Sequence, residues 1–142
     1  MKTVSQLLQS KAGPLRTTTP DARVYDALKM MAEYDIGALL VVGNDRLVGI
    51  LSERDYARKV ILHGKSSHDT RVAEIMTERV ICIQPTRTVD ECMALMTDKR
   101  VRHLPVIDNG RLVGVLSIGD LVKETISEQE FTIRQLESYI HR

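Results

Sequence analysis

A chain of 142 residues with 43% hydrophobic content has the size of one compact domain and enough apolar side chains to build a core. Its 20 Lys and Arg against 19 Asp and Glu exclude the basic footprint of a nucleic-acid binder and the acidic run of a solvating tail. The two cysteines, Cys82 and Cys92, have no CxxC or metal-ligand spacing and fit a reducing compartment. The opening residues lack a signal peptide's apolar run, and no stretch is as long and apolar as a membrane span, so a soluble cytoplasmic protein is expected.

In chain order, a short strand is expected at "RTT", residues 16–18. A helix follows, with Val24, Ala27, Leu28 and Met31 at i, i+3, i+4 and i+7. The apolar runs "ALLVV" and "RLVGIL", separated by "GND", read as a strand pair that enters another helix at Ser52. The polar stretch "HGKSSHDT", residues 63–70, reads as a linker. The same order then returns: a strand at "VICI", then a helix with Val89, Cys92, Met93 and Met96 on one face and a Thr88–Glu91 capping box. "LPVI" and "RLVGVL" follow, joined by a hairpin turn at Asn109-Gly110, and a helix starts at Ser117. A last helix is expected over 126–142, with Ser127 and Glu130 as its capping box.

The repetition has a fixed register. Shifting the chain by 65 residues gives 13 identities in the 36 positions from 20 to 55, without a gap. "VSQLL" and "VAEIM" also correspond, at an offset of 68. A sheet of about three strands covered by helices on one face is marginal alone, so two such units should pack together as an α+β fold. The sequence repeats are 1–65 and 66–125.

Ser52-Glu53-Arg54-Asp55 and Ser117-Ile118-Gly119-Asp120 occupy equivalent positions. Taken singly, Ser-x-x-Asp is most often a capping box, as at Thr88–Glu91. Context adds weight: in both copies an apolar strand delivers the serine to a helix N-terminus, where free amides favour an anion and a carboxylate can accept a ribose diol. Arg54, Arg102 and His103 are candidate phosphate contacts. Cys92 is expected in the core, and His63 and His68 lack partners for a metal, so no metal site is expected. No nucleophile and base can be paired, which argues against an enzyme.

With this repeat, the two G-[IV]-L-S-x-x-D stretches and "RHLPVID" at 102–108, the chain resembles the tandem cystathionine-beta-synthase (CBS) domain family from about Val4 to Lys123. The resemblance implies two CBS units about a pseudo-two-fold axis, with clefts between them that bind adenosyl ligands such as AMP, ATP, NAD or S-adenosylmethionine. It assigns the ribose to Asp55 and Asp120. The rest of the ligand falls to Ser52, Ser117, Ile118, Gly37, Ala38, Arg102 and His103, with Arg54 as a further phosphate contact. In the family a threonine often stands three residues before the proline that opens each repeat. Thr17 matches before Pro20, whereas Cys82 stands before Pro85, so the two clefts are expected to differ. The basic residues favour AMP or NAD(H), with ATP possible, over S-adenosylmethionine.

The expected function is that of a stand-alone nucleotide sensor, a homodimer that modulates a separate, unidentified protein and contacts neither nucleic acid nor membrane. The alternative is a protein-interaction module without a functional ligand site.

Overall fold

In the computed structural model, which describes residues 2–11 and 13–140, the chain begins with α1 (Val4–Ser10), β1 (Thr17–Thr18) and α2 (Val24–Tyr34). The hairpin of β2 (Ala38–Gly43) and β3 (Arg46–Ser52) leads into α3 (Glu53–Tyr56) and a π-helical turn (Ala57–Ile61). After α4 (Val72–Ile75) come α5 (Val89–Lys99), the hairpin of β4 (His103–Asp108) and β5 (Arg111–Ser117), and α6 (Ile118–Ile140). This is the α+β composition expected. No helix among the described residues is long and apolar enough to cross a membrane.

The repeat extends to backbone detail. Helices α2 and α5 bury Val24, Ala27 and Met31, and Val89, Cys92 and Met96, on the stripes their spacing predicts. Each ends in a left-handed residue, Asp35 (φ 52°) and Arg100 (φ 55°). The next amide donates back into the helix: Ile36 N–H to the Met31 carbonyl at 3.0 Å, and Val101 N–H to that of Met96 at 3.1 Å. Both hairpins turn on two residues of positive φ, Asn44 and Asp45 (52° and 61°) and Asn109 and Gly110 (51° and 79°), the geometry that suits the twist of paired strands. At Thr88 the cap is half of the expected box: the hydroxyl accepts the Glu91 amide at 3.2 Å and donates to the Glu91 carboxylate at 3.3 Å.

One sheet has the order β1-β2-β3, with β1 parallel to β2; the other contains β4 and β5 alone. The strand expected at "VICI" shrinks to a single parallel bridge, Ile83 to Val106. The register explains the loss. Thr17 of β1 pairs with Leu40, whose counterpart in the second copy is Pro105, and a proline has no amide to extend the ladder.

The compact units do not follow the sequence repeats. One comprises residues 14–81 with 110–112; the other comprises 1–13, 82–109 and 113–142. The leading helices explain this division. In the second unit, the Val4 and Ser5 amides of α1 donate to the carbonyls of Arg87 and Pro85 at 2.8 and 3.0 Å, and the Val89 amide donates to the Lys2 carbonyl at 3.1 Å. In the first unit, the Val72 and Ala73 amides of α4 donate to Ala22 and Pro20 at 2.8 and 2.9 Å, and the Val24 amide to Thr70 at 2.9 Å. Each short helix thus satisfies its first-turn amides on the carbonyls that precede the long helix of the opposite repeat.

Close packing over the second strand of each hairpin fixes these helices further. A Cβ at Gly49 would lie 2.7 Å from Met76 Sδ and 3.0 Å from the Thr77 carbonyl oxygen, and one at Gly114 would lie 2.7 Å from a Leu8 methyl group. Leu8 and Met76 correspond at the offset of 68.

Two further expectations change. Residues 63–70 are not a loose linker but cover the start of α2: the Ser67 carbonyl accepts the Tyr25 amide at 2.9 Å, His68 stacks on Tyr25 at 4.0 Å, and Thr70 is buried with its hydroxyl on the Ser66 carbonyl at 2.7 Å. The C-terminal helix does not begin at Ser127. The helix that starts after Ser117 continues through it to Ile140, since no proline or second glycine interrupts 120–140. Residues 141 and 142 of the expected last helix lie outside the described residues.

Candidate functional site

Each strand-to-helix corner is built by the Ser-x-x-Asp pattern. At the first, the Asp55 amide donates to Ser52 Oγ at 3.1 Å, while Asp55 Oδ2 accepts the Ser52 amide at 3.0 Å and the Ser52 hydroxyl at 3.1 Å. The other carboxylate oxygen, Oδ1, accepts the Thr77 hydroxyl at 3.2 Å and pairs with Lys59 Nζ at 3.2 Å. Three hydrogen bonds and an ion pair thus meet this buried carboxylate from within its own unit.

Asp120 has the same frame and a different environment. Its amide donates to Ser117 Oγ at 3.2 Å, and Oδ2 accepts the Ser117 amide at 2.8 Å and Lys11 Nζ at 2.9 Å. Oδ1 takes neither of these two bonds, and the Ser117 side chain is a further hydrogen-bond partner of the carboxylate. Glu124 stands where Lys59 stands in the first copy, and it pairs with Lys2 at 3.2 Å instead. The ion pair with Lys11 is part-exposed, 37% and 29% for the two side chains, and such pairs contribute about 0–1 kcal/mol. Burial, the largest influence, pushes the Asp120 carboxyl up, but the Ser117 amide and the Lys11 ammonium outweigh it and leave the group below its ordinary value of 3.8.

His103, at the start of β4, shares this corner. Burial lowers its pKa from 6.5; the charges of Lys11 and Arg102 add to the lowering, and Asp120 opposes it. The Arg102 carbonyl accepts the Ile118 amide at 2.8 Å, which ties the strand start to the helix start. Gly37 does the same in the first copy, accepting the Glu53 amide at 3.1 Å.

A family model for the CBS domain matches residues 4–62 and 72–127. The chain belongs to the CBS-domain family. It is 42% identical over 147 aligned residues to the CBS domain-containing protein CBSX3, mitochondrial, of Arabidopsis thaliana, covering 97% of this chain and 71% of that protein. Among solved structures, a putative signal-transduction protein with CBS domains from Burkholderia ambifaria is 55% identical with a TM-score of 0.87, over 90% of this chain and 96% of that one. The CBS domain pair of protein MJ0100, in complex with 5-methylthioadenosine and S-adenosyl-L-methionine, is 25% identical with a TM-score of 0.79, over 90% and 98%.

Within this CBS pair the sequence candidates fall into two groups. In the first unit Ser52 faces Ala38 across the hairpin, next to Gly37 and Asp55, and Thr17 lies in β1 beside Leu40. Arg54 is exposed and makes no ion pair among the described residues. In the second unit Arg102, His103, Ser117, Ile118 and Asp120 come together. Cys82 precedes Ile83, whose amide donates to the Pro105 carbonyl of β4 at 2.9 Å, and lines a surface cavity of about 410 Å³ with Ile83, Gln84, Arg87, Glu91 and Leu95. Cys92 is buried, and burial first, then Glu91, pushes its thiol up to about 11, which keeps it an inert core group.

Three residues that shape the corners are absent from the sequence candidates: Lys59, Thr77 and Lys11. Lys59 had a signal, since it lies one helical turn beyond Asp55. Thr77 and Lys11 reach their carboxylates through the exchanged leading segments, which leave no local trace.

Proposed function

We propose that this CBS pair is a regulatory module that binds an adenosyl ligand, AMP or NAD(H) ahead of ATP, and transmits its occupancy to a separate protein. The observation that carries this is Asp120: a part-exposed carboxylate at a helix start, with both the Ser117 amide and Lys11 on Oδ2 rather than Oδ1, in a corner that also holds His103 and Arg102. An acceptor flanked by cations suits a sugar that bears an anion. The adenosyl ligands of the MJ0100 domain pair support the class of ligand. Occupancy acts by population shift, favouring whichever arrangement binds the ligand better.

The test is the melting temperature of the purified protein with AMP, ADP, ATP, NAD, NADH and S-adenosylmethionine, each at about 1 mM. A ligand at 100 times its dissociation constant adds about 2.7 kcal/mol, a shift of several degrees for a domain of this size. The expected result is a shift with AMP or NAD(H) that Asp120→Ala abolishes. No shift with any of the six would remove the proposal.

A second property rests on α6, where Ile126, Phe131, Ile133, Leu136, Tyr139 and Ile140 are all more than half exposed. We propose that a second copy of this chain covers them, giving the two-fold dimer that is commonest among homo-oligomers. Phe131→Glu with Leu136→Glu should then yield a monomer by sedimentation; an unchanged oligomeric state would exclude α6 as the interface.

A further inference from the structure

Lys11 ends α1, and its backbone amide donates to the carbonyls of Leu7 and Leu8, so the main chain is fixed while the side chain reaches the start of α6. Its ammonium donates to Asp120 Oδ2 at 2.9 Å and to the Val115 carbonyl oxygen at 2.7 Å. A ribose diol brings two hydroxyl donors. Oδ1 of Asp120 is held by neither the Ser117 amide nor Lys11, and Oδ2 is freed of the lysine only when the ammonium withdraws.

The displaced ammonium stays tethered to a fixed backbone a few ångströms away. A ligand that carries phosphate gives it a new anionic partner, in company with His103 and Arg102; a neutral nucleoside leaves it with water. The first corner has no such exchange. Lys59, like Lys11, also holds a backbone carbonyl, but at Asp55 the Thr77 hydroxyl occupies the same oxygen as the lysine, Oδ1, while Ser52 holds Oδ2 through its amide and its hydroxyl.

We infer that Lys11 is a latch on the Asp120 corner and its specificity-determining residue, yielding the carboxylate to ribose hydroxyls and selecting ligands that return a phosphate. This rests on the proposal that Asp120 holds the ribose of an adenosyl ligand. The full chain carries the test: isothermal titration of adenosine and of AMP into the wild type, Lys11→Met and Lys11→Arg.

The wild type should prefer AMP. Lys11→Met should weaken AMP about tenfold while adenosine binds as well as before or better, and Lys11→Arg should keep the preference. Lys11→Gln gives the same ratio with a polar side chain, should the methionine variant prove poorly folded. An AMP-to-adenosine ratio unchanged in Lys11→Met and Lys11→Gln, with both ligands still bound, overturns the latch and leaves the adenosyl proposal standing. A wild type that binds neither ligand overturns the latch, and if none of the six nucleotides shifts the melting temperature either, the adenosyl proposal falls with it.

Discussion

Asp55 and Asp120 stand 65 residues apart in the same Ser-x-x-Asp frame, yet one is buried and also held by the Thr77 hydroxyl and Lys59, while the other is part-exposed and held by Ser117 and Lys11. The frame itself is not what differs. The extra donors at Asp55 come from Thr77, which follows α4, and from Lys59, whose place is taken by Glu124 in the second copy. Duplication therefore preserved the capping geometry and left the carboxylate free to serve either structure or ligand, according to what the neighbouring segments bring.

The sharpest way to break this contrast is to remove each carboxylate. Asp55→Ala strips the helix start of its partner, leaves the Thr77 hydroxyl without its acceptor and removes the ion pair with Lys59, so a loss of about 2–3 kcal/mol in urea unfolding is expected. Asp120→Ala forfeits one capping bond and an exposed ion pair, about 1 kcal/mol. Equal losses would mean that the two corners are equivalent.

The strand glycines give a smaller contrast of the same kind. Gly49→Ala meets the Thr77 backbone as well as Met76 and should cost about 1–3 kcal/mol, whereas Gly114→Ala meets only the Leu8 side chain, which can turn aside. A larger cost at Gly114 would place the rigid approach in the wrong unit.

Acid should separate the corners least, but with a definite sign. The folded protein holds His103 below its ordinary 6.5, so on acidification the unfolded chain takes up that proton first, and stability falls as pH drops through 6.5 towards the folded value. Asp120 acts lower: its contribution is present above 3.8 and is lost as pH falls through its depressed folded value. His103→Gln should therefore flatten the decline in urea midpoint between pH 7.5 and 5.5; an unchanged slope would show that burial and the charges of Lys11 and Arg102 do not hold His103 below its ordinary value.

Much of the fold was legible in the residues because the interactions concerned are local. Apolar spacing fixed the buried faces of α2 and α5, positive-φ residues fixed the hairpin turns, and the serine and aspartate of each corner lie within one helical turn. The candidates at the second corner, Arg102, His103, Ser117 and Asp120, were found from the repeat and from what the family resemblance implies. Cys82 was placed with them by what the family resemblance implies for the residue three before Pro85. The strand at "VICI" failed for want of one amide, at Pro105 on the strand it should pair with, 22 residues beyond Ile83.

The sequence by itself determined the repeat, its register, the helix and hairpin boundaries and the paired Ser-x-x-Asp corners, all of which rest on periodicity and on bonds between residues three or four apart. Only the tertiary structure decided which leading helix serves which repeat, and with it which carboxylate meets Thr77 and Lys59 and which meets Lys11. Those contacts join residues as distant as 11 and 120, where the choice between partners depends on where the unsatisfied amides of a short helix find carbonyls, and no spacing rule along the chain records that choice.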